Sequence, residues 1–172
     1  HYSKGAALAN LGKNDEALLA FEQAIRLKPN DAEALYNKGL ALYRLGRYQE
    51  AIEAYDQALR LDPELVLAYY SRGETLAKLR RYEEAIEAYD QALSREPENA
   101  EIWYGKGKAL AKLGGHEEAI RAFGKALRFH PNDADVLYNR GLALFKLERY
   151  EEALSDDEQL LRFDPDFPNA YY

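Results

Sequence analysis

Five prolines, Pro29, Pro63, Pro97, Pro131 and Pro165, stand 34 residues apart in a chain of 172. Gly5, Gly39, Gly73, Gly107 and Gly141 keep the same interval, as do Ala17, Ala51, Ala85, Ala119 and Ala153. Residues 47–59 and 81–93 differ at one position only. A fixed period of this length belongs to repeat architectures, in which each unit buries its apolar face only against its neighbours. The chain is therefore expected to build its core once per repeat.

Each period reads as two amphipathic helices. In the second, Leu35, Gly39, Leu42 and Leu45 recur at helical spacing before Gly46, a residue suited to a left-handed stop. Ala51, Ile52, Tyr55, Ala58 and Leu59 then form a second apolar stripe, which Pro63 closes. Asp31, Asn99 and Asp133 fall where an N-cap is wanted. Acidic pairs such as Glu83–Glu84 and Glu117–Glu118 open second helices, and Arg26, Arg60, Arg128 and Arg162 close them, each complementing the helix dipole. First helices are expected near 32–45, 66–79, 100–113 and 134–147, and second helices near 15–27, 49–61, 83–95, 117–129 and 151–163.

Leu35, Gly39, Leu42, Ala51, Tyr55, Ala58 and Pro63 in one period match Trp103, Gly107, Leu110, Ala119, Phe123, Ala126 and Pro131 in another. This pattern resembles the tetratricopeptide repeat over essentially the whole chain. The resemblance implies an all-α fold, a right-handed superhelical solenoid of stacked antiparallel helix pairs. In its frame the units are 1–31 (partial), 32–65, 66–99, 100–133 and 134–167, with 168–172 opening a sixth at Tyr171. A chain that starts at His1 and has no Met is expected to be a piece of a longer protein, the array being cut at both ends.

Composition narrows the function. No apolar run approaches the roughly 18 residues of a membrane span, and a formal charge of −7 argues against a nucleic-acid partner. The absence of Cys removes disulfides, thiolate nucleophiles and Cys-bound metals, and fits a reducing, cytoplasmic setting. His1, His116 and His130 lack metal-ligand spacing, so no metal or other cofactor is expected. Gly105-Lys106-Gly107-Lys108 lacks the spacing of a phosphate loop, and Ser3, Ser71, Ser94 and Ser155 have no neighbouring base. Nothing here points to catalysis.

The resemblance places the first helices on a concave surface that in this family usually binds an extended peptide. Its fifth frame position is Tyr throughout: Tyr2, Tyr36, Tyr70, Tyr104 and Tyr138. The sixth includes Asn37, Ser71, Gly105 and Asn139; the ninth includes Leu40, Glu74, Lys108 and Leu142. Tyr43 and Phe145 hold the twelfth, and Arg44, Lys78, Lys112 and Lys146 form a basic rail at the thirteenth. Tyrosine combines apolar area with a polar tip, which suits recognition, although the same rings could simply pack against neighbouring helices. Family members that grip a chaperone's C-terminal carboxylate carry Lys at the fifth position and Asn at the ninth; this chain carries neither there. The expected function is a non-catalytic scaffold for a protein or peptide partner. A structural spacer, a self-association module joining truncated ends, and a regulatory segment of a larger enzyme are the alternatives. On the end-joining view the start of the chain, around Tyr2 and Leu8, packs against another molecule or is disordered.

The fifth unit breaks the pattern. Phe21, Tyr55, Tyr89 and Phe123 share a position that unit five gives to Asp157, while Asp156 replaces an Ala and Leu160 another small residue. A buried unpaired carboxylate costs several kcal/mol. Asp157 is therefore expected to face solvent, as on a capping repeat, and helix 151–163 to pack least tightly.

Overall fold

Alternating short stretches of helix-favouring residues and left-handed stops leave the backbone one regular solution, a run of short helices folded back on one another. The computed structural model describes residues 1–166 and is all-α, with no strand among the described residues. In chain order the helices are α1 Tyr2–Asn10, α2 Asn14–Leu27, α3 Ala32–Arg44, α4 Tyr48–Leu61, α5 Val66–Lys78, α6 Tyr82–Leu93, α7 Ala100–Lys112, α8 His116–Phe129, α9 Ala134–Lys146 and α10 Tyr150–Phe163. The expected boundaries fall within two residues of these. The start of the chain is a formed helix, α1, so of the two outcomes expected there, disorder is overturned: Tyr2 packs on Phe21 of α2, ring centroids 6.0 Å apart. The proposed opening of a sixth repeat at 168–172, with Tyr171, lies outside the described residues.

Local chemistry sets the helix ends. Asp31, Asn99 and Asp133 accept from backbone N–H groups of α3, α7 and α9 at 3.1–3.3 Å. First helices end on left-handed residues: Gly12, Gly46 and Gly114 have φ of 74°, 75° and 84°. Arg80 and Glu148 occupy the same frame position at 61° and 59°, where a side chain costs roughly 1–2 kcal/mol against glycine.

The helices group into two compact units, His1–Gln91 and Ala92–Tyr172. In the first, Ala17, Leu18 and Phe21 of α2, Ala41 and Leu42 of α3, and Ala51 and Tyr55 of α4 form one buried cluster. In the second, Ala119, Phe123, Ala126 and Leu127 of α8 meet Val136, Leu137 and Ala143 of α9 and Leu160 of α10. Within a pair, the helices touch where a glycine faces an aromatic ring. A Cβ on Gly5 or Gly73 would stand 2.7 Å from Phe21 or Tyr89, and one on Gly107 2.5 Å from Phe123. Gly39 is pressed by Tyr55 in the same way.

The last pair has no ring to press. A Cβ on Gly141 would meet nothing closer than Asp157 Oδ1, at 3.5 Å. The expectation that Asp157 is exposed needs correction: the residue is half-buried, and its Oδ1 is buried without a hydrogen-bond partner. The adjacent Asp156 is the paired one. It is 3% exposed, and Arg140 of α9 grips it with two donors, Nε to Oδ2 at 2.7 Å and Nη2 to Oδ1.

Frame arithmetic explains that pair. In the first unit, cations on first helices pair with the preceding second helix, Lys38 with Glu22 at 3.4 Å and Arg72 with Asp56 at 2.8 Å. Arg140 is the counterpart of Lys38 and Arg72, but position 124, the counterpart of Glu22 and Asp56, is Gly. Arg140 therefore has no carboxylate on α8 at that register, and it takes Asp156 from its own pair. Leu160, fully buried where the other units have Ala, supplies apolar volume in the same region.

Two stability predictions follow from this contrast. Gly39→Ala should lose about 1–3 kcal/mol, because the buried Tyr55 ring cannot move aside. Gly141→Ala should be neutral or gain up to about 1 kcal/mol of helix propensity. Parallel urea unfolding distinguishes the two.

Asp157 predicts a pH effect. Burial, then the charge of Asp156, holds its carboxyl above the ordinary range. The unfolded chain releases this proton near the usual Asp value of about 3.9, whereas the folded chain keeps it to higher pH. This contribution to stability is therefore fully present below the unfolded value and is lost as pH rises through the folded one. Asp157→Asn should flatten that decline in midpoint-versus-pH curves. Asp157→Tyr should raise the neutral-pH midpoint, by about 1–2 kcal/mol, as a ring fills the space beside Gly141.

Candidate functional site

Within each unit, first helices bring fifth and sixth frame positions together across inter-repeat steps. In the first unit, Asn37 of α3 donates to Tyr2 Oη at 3.2 Å and to its own helix at the Glu33 carbonyl, 2.8 Å away. Tyr36 Oη lies 3.5 Å from Ser71 Oγ of α5. In the second unit, Asn139 of α9 donates to Tyr104 Oη at 3.1 Å and to the Asp135 carbonyl at 2.7 Å. A side chain 35 positions later thus meets each hydroxyl.

The rings behave likewise. Tyr36 lies 5.9 Å from Tyr55, Tyr70 6.1 Å from Tyr89, and Tyr104 6.0 Å from Phe123, all tilted. Tyr36, Tyr70, Tyr104 and Tyr138 are half-buried, as are Asn37, Ser71 and Asn139. Tyr2, Tyr36 and Tyr104 are thus connectors between helices: each ring packs on an aromatic ring of its own pair while the hydroxyl meets a side chain of the next first helix. Sequence reasoning left this packing role open beside the binding role, since spacing alone does not reveal which way a ring tilts.

The ninth, twelfth and thirteenth positions differ in how far the fold already engages them. On the first unit Leu40 and Tyr43 are half-buried and Lys78 is exposed. Burial raises the Tyr43 hydroxyl pKa against the lowering charge of Lys78, with Glu74 adding to the rise. Arg44 is partly spent, since Nη1 donates to the Ala9 carbonyl at 3.1 Å. Glu74 accepts from the buried Tyr89 hydroxyl at 2.6 Å; burial, then the Glu74 charge, pushes that phenol far above its ordinary value. On the second unit Lys108 Nζ lies 4.4 Å over the Tyr104 ring, Leu142 is half-buried and Lys112 is exposed. These surfaces can offer apolar contact and cationic hydrogen bonding; they do not enclose a reacting centre.

A feature without a sequence signature lies on the second-helix side of the first unit. Asp56, Arg60, Tyr69, Arg72 and Glu87 line an open cavity of about 540 Å³ over Ala88. No group of three or more His, Asp or Glu residues among the described residues could hold a metal ion, and none of the described helices is long and apolar enough to cross a membrane.

Asn139→Ala should cost about 1 kcal/mol by urea denaturation, since it strips the donor from Tyr104 Oη and from the Asp135 carbonyl. An unchanged midpoint would remove the ladder from the account of stability.

Comparison with known proteins agrees with this geometry. The family described as tetratricopeptide repeat matches residues 2–65, 70–128 and 106–168. Among solved structures, a MamA double mutant (RS-1) is 26% identical with a TM-score of 0.91, over 95% of this chain and 92% of that one. MamA from Desulfovibrio magneticus RS-1 is 25% identical with a TM-score of 0.90, over 97% and 94%. YrrB, described as a repeat protein of this kind with an unusual peptide-binding site, is 26% identical with a TM-score of 0.83, over 96% and 86%. Curated proteins give no sequence match.

Proposed function

Since the chain belongs to the tetratricopeptide repeat family, we propose that it is a non-catalytic scaffold whose first helices receive an extended segment of a partner protein. The observation that carries this reading is the division of labour along those helices. Tyr2, Tyr36 and Tyr104 are engaged by Asn37, Ser71 and Asn139, while Leu40 and Tyr43 on one unit and Lys108 and Leu142 on the other are only half-buried, and Lys78 and Lys112 are exposed. An extended peptide running across first helices would lay alternate side chains on the apolar positions and meet Lys78 or Lys112 with a carboxylate or a carbonyl. The similarity to YrrB, whose description names a peptide-binding site, points the same way.

The test begins with a peptide array probed with the 172-residue chain, followed by calorimetry on the best-retained peptide. Lys78→Glu and Lys112→Glu should each weaken that peptide by about 1 kcal/mol or more, the scale of an interface charge reversal. Arg60→Glu, on the opposite side, should leave it unchanged. A larger effect from Arg60→Glu would move the site to the second-helix cavity. Tyrosine truncation is the poorer test, because removing the Tyr36 or Tyr70 ring also unpacks Tyr55 or Tyr89.

A further inference from the structure

Two neighbouring positions of α5 depart from the repeat. Glu74 stands where the other repeats have Ala6, Leu40, Lys108 and Leu142, and Thr75 where they have Ala7, Ala41, Ala109 and Ala143. The rings packed nearby change with them: Tyr55 and Tyr89 carry hydroxyls where Phe21 and Phe123 have none. Polar atoms therefore gather at the junction of α3 and α5, and they are not all matched. Thr75 Oγ1 donates to the Ser71 carbonyl of its own helix at 2.6 Å, which spends its hydrogen. Tyr55 is fully buried and turns its hydroxyl toward Tyr36, Tyr43, Ser71 and Thr75, yet Oη has no hydrogen-bond partner.

Glu74 is held rigidly beside this seam. Its Oε1 accepts from the buried Tyr89 hydroxyl at 2.6 Å, a charge-assisted bond that fixes the carboxylate in one orientation. Its Oε2 has no partner among the described residues and is not buried. Lys78, one turn further along α5, is exposed and makes no ion pair among the described residues. The Glu74 charge reaches the hydroxyl of half-buried Tyr43 on α3, so carboxylate and ring share one corner of the face.

From this corner we infer that the first unit seats an arginine side chain of the bound segment, its guanidinium on Glu74 Oε2 and its plane against Tyr43. The inference rests on the peptide-binding reading and names the side chain that α3 and α5 would select. Arginine suits the corner better than lysine: its planar fork of donors matches a fixed carboxylate, it stacks on an aromatic face, and it is the more weakly hydrated cation. The floor beneath is made of hydroxyls, so a charged plane lying on it keeps hydrogen-bonding atoms within reach. The net charge of −7 favours the approach of a basic segment, and Lys78 is left for an acidic neighbour in that segment.

A positional-scanning library of nonapeptides reads this directly. One position at a time is fixed as Arg, Lys, Gln or Glu, the others are mixed, and retention by the 172-residue chain is measured. The expected result is a position at which Arg is retained about fivefold over Gln, the scale of one well-placed exposed charge pair, with Lys between them. Glu74→Gln keeps the size of the side chain and an acceptor for Tyr89, and should erase that preference. Glu74→Lys, which gives α5 the residue that α7 has as Lys108, should transfer the preference to Glu. Tyr89→Phe installs the ring that α2 and α8 carry, so it frees the carboxylate without unpacking Gly73. It should narrow the margin of Arg over Lys about twofold while basic pools stay favoured. Circular dichroism of each variant separates lost binding from lost fold. If no pool is retained, the peptide-binding reading and this inference fall together. Retention without a basic preference, or with an arginine preference that Glu74→Gln leaves intact, overturns the inference alone.

Discussion

Everything in this structure depends on how closely two helices of a pair can approach, and a ring set against bare backbone decides that. Gly5, Gly39, Gly73 and Gly107 leave room for one aromatic side chain each, and Phe21, Tyr55, Tyr89 and Phe123 take it. The contact buries a large apolar area at the centre of the pair, and it fixes the axial offset between the helices, because the ring fits over one residue only. Within each unit, α3, α5 and α9 are thereby held in place for a second partner, the second helix of the preceding repeat. The core alanines follow from the same close approach, since Ala17, Ala34, Ala51 and Ala58 are fully buried where a longer side chain would push the helices apart.

The tyrosine ladder is the polar counterpart of that contact. Fixing the pair holds the Tyr2, Tyr36 and Tyr104 rings tilted against the second helix and turns their hydroxyls toward the next first helix, where Asn37, Ser71 and Asn139 meet them. Hydrogen bonds of this kind are worth about 1 kcal/mol each, much less than the apolar contacts, but they are directional. Stacking therefore comes from apolar burial, and register from a donor placed 35 residues away.

Much of the fold was legible because it repeats. The period, the glycine stops and the caps at Asp31, Asn99 and Asp133 placed the helices closely, since each signal acts within a few residues of itself. The candidate site was less legible. Spacing shows that Tyr36 and Tyr104 share a face, but the tilt that spends them on neighbouring helices depends on Tyr55 and Phe123, some 19 residues further along. The fifth unit was hardest to read. Asp157 looked like the odd residue, because it stands where a ring belongs, yet the ion pair formed at Asp156, for a reason that lies 32 residues earlier at Gly124.

That displaced ion pair has a consequence for how such an array can vary. A repeat protein invites the view that its units are interchangeable parts, each compatible with any neighbour. Arg140 contradicts it: its carboxylate must come either from the helix before it or from the helix after it, and two positions in different repeats share that obligation. An acid at 124 has open space to occupy, and only with one there could 156 revert to alanine without leaving the guanidinium unanswered. The two sites are epistatic, so transplanting either repeat alone into another array would bring half of a matched set.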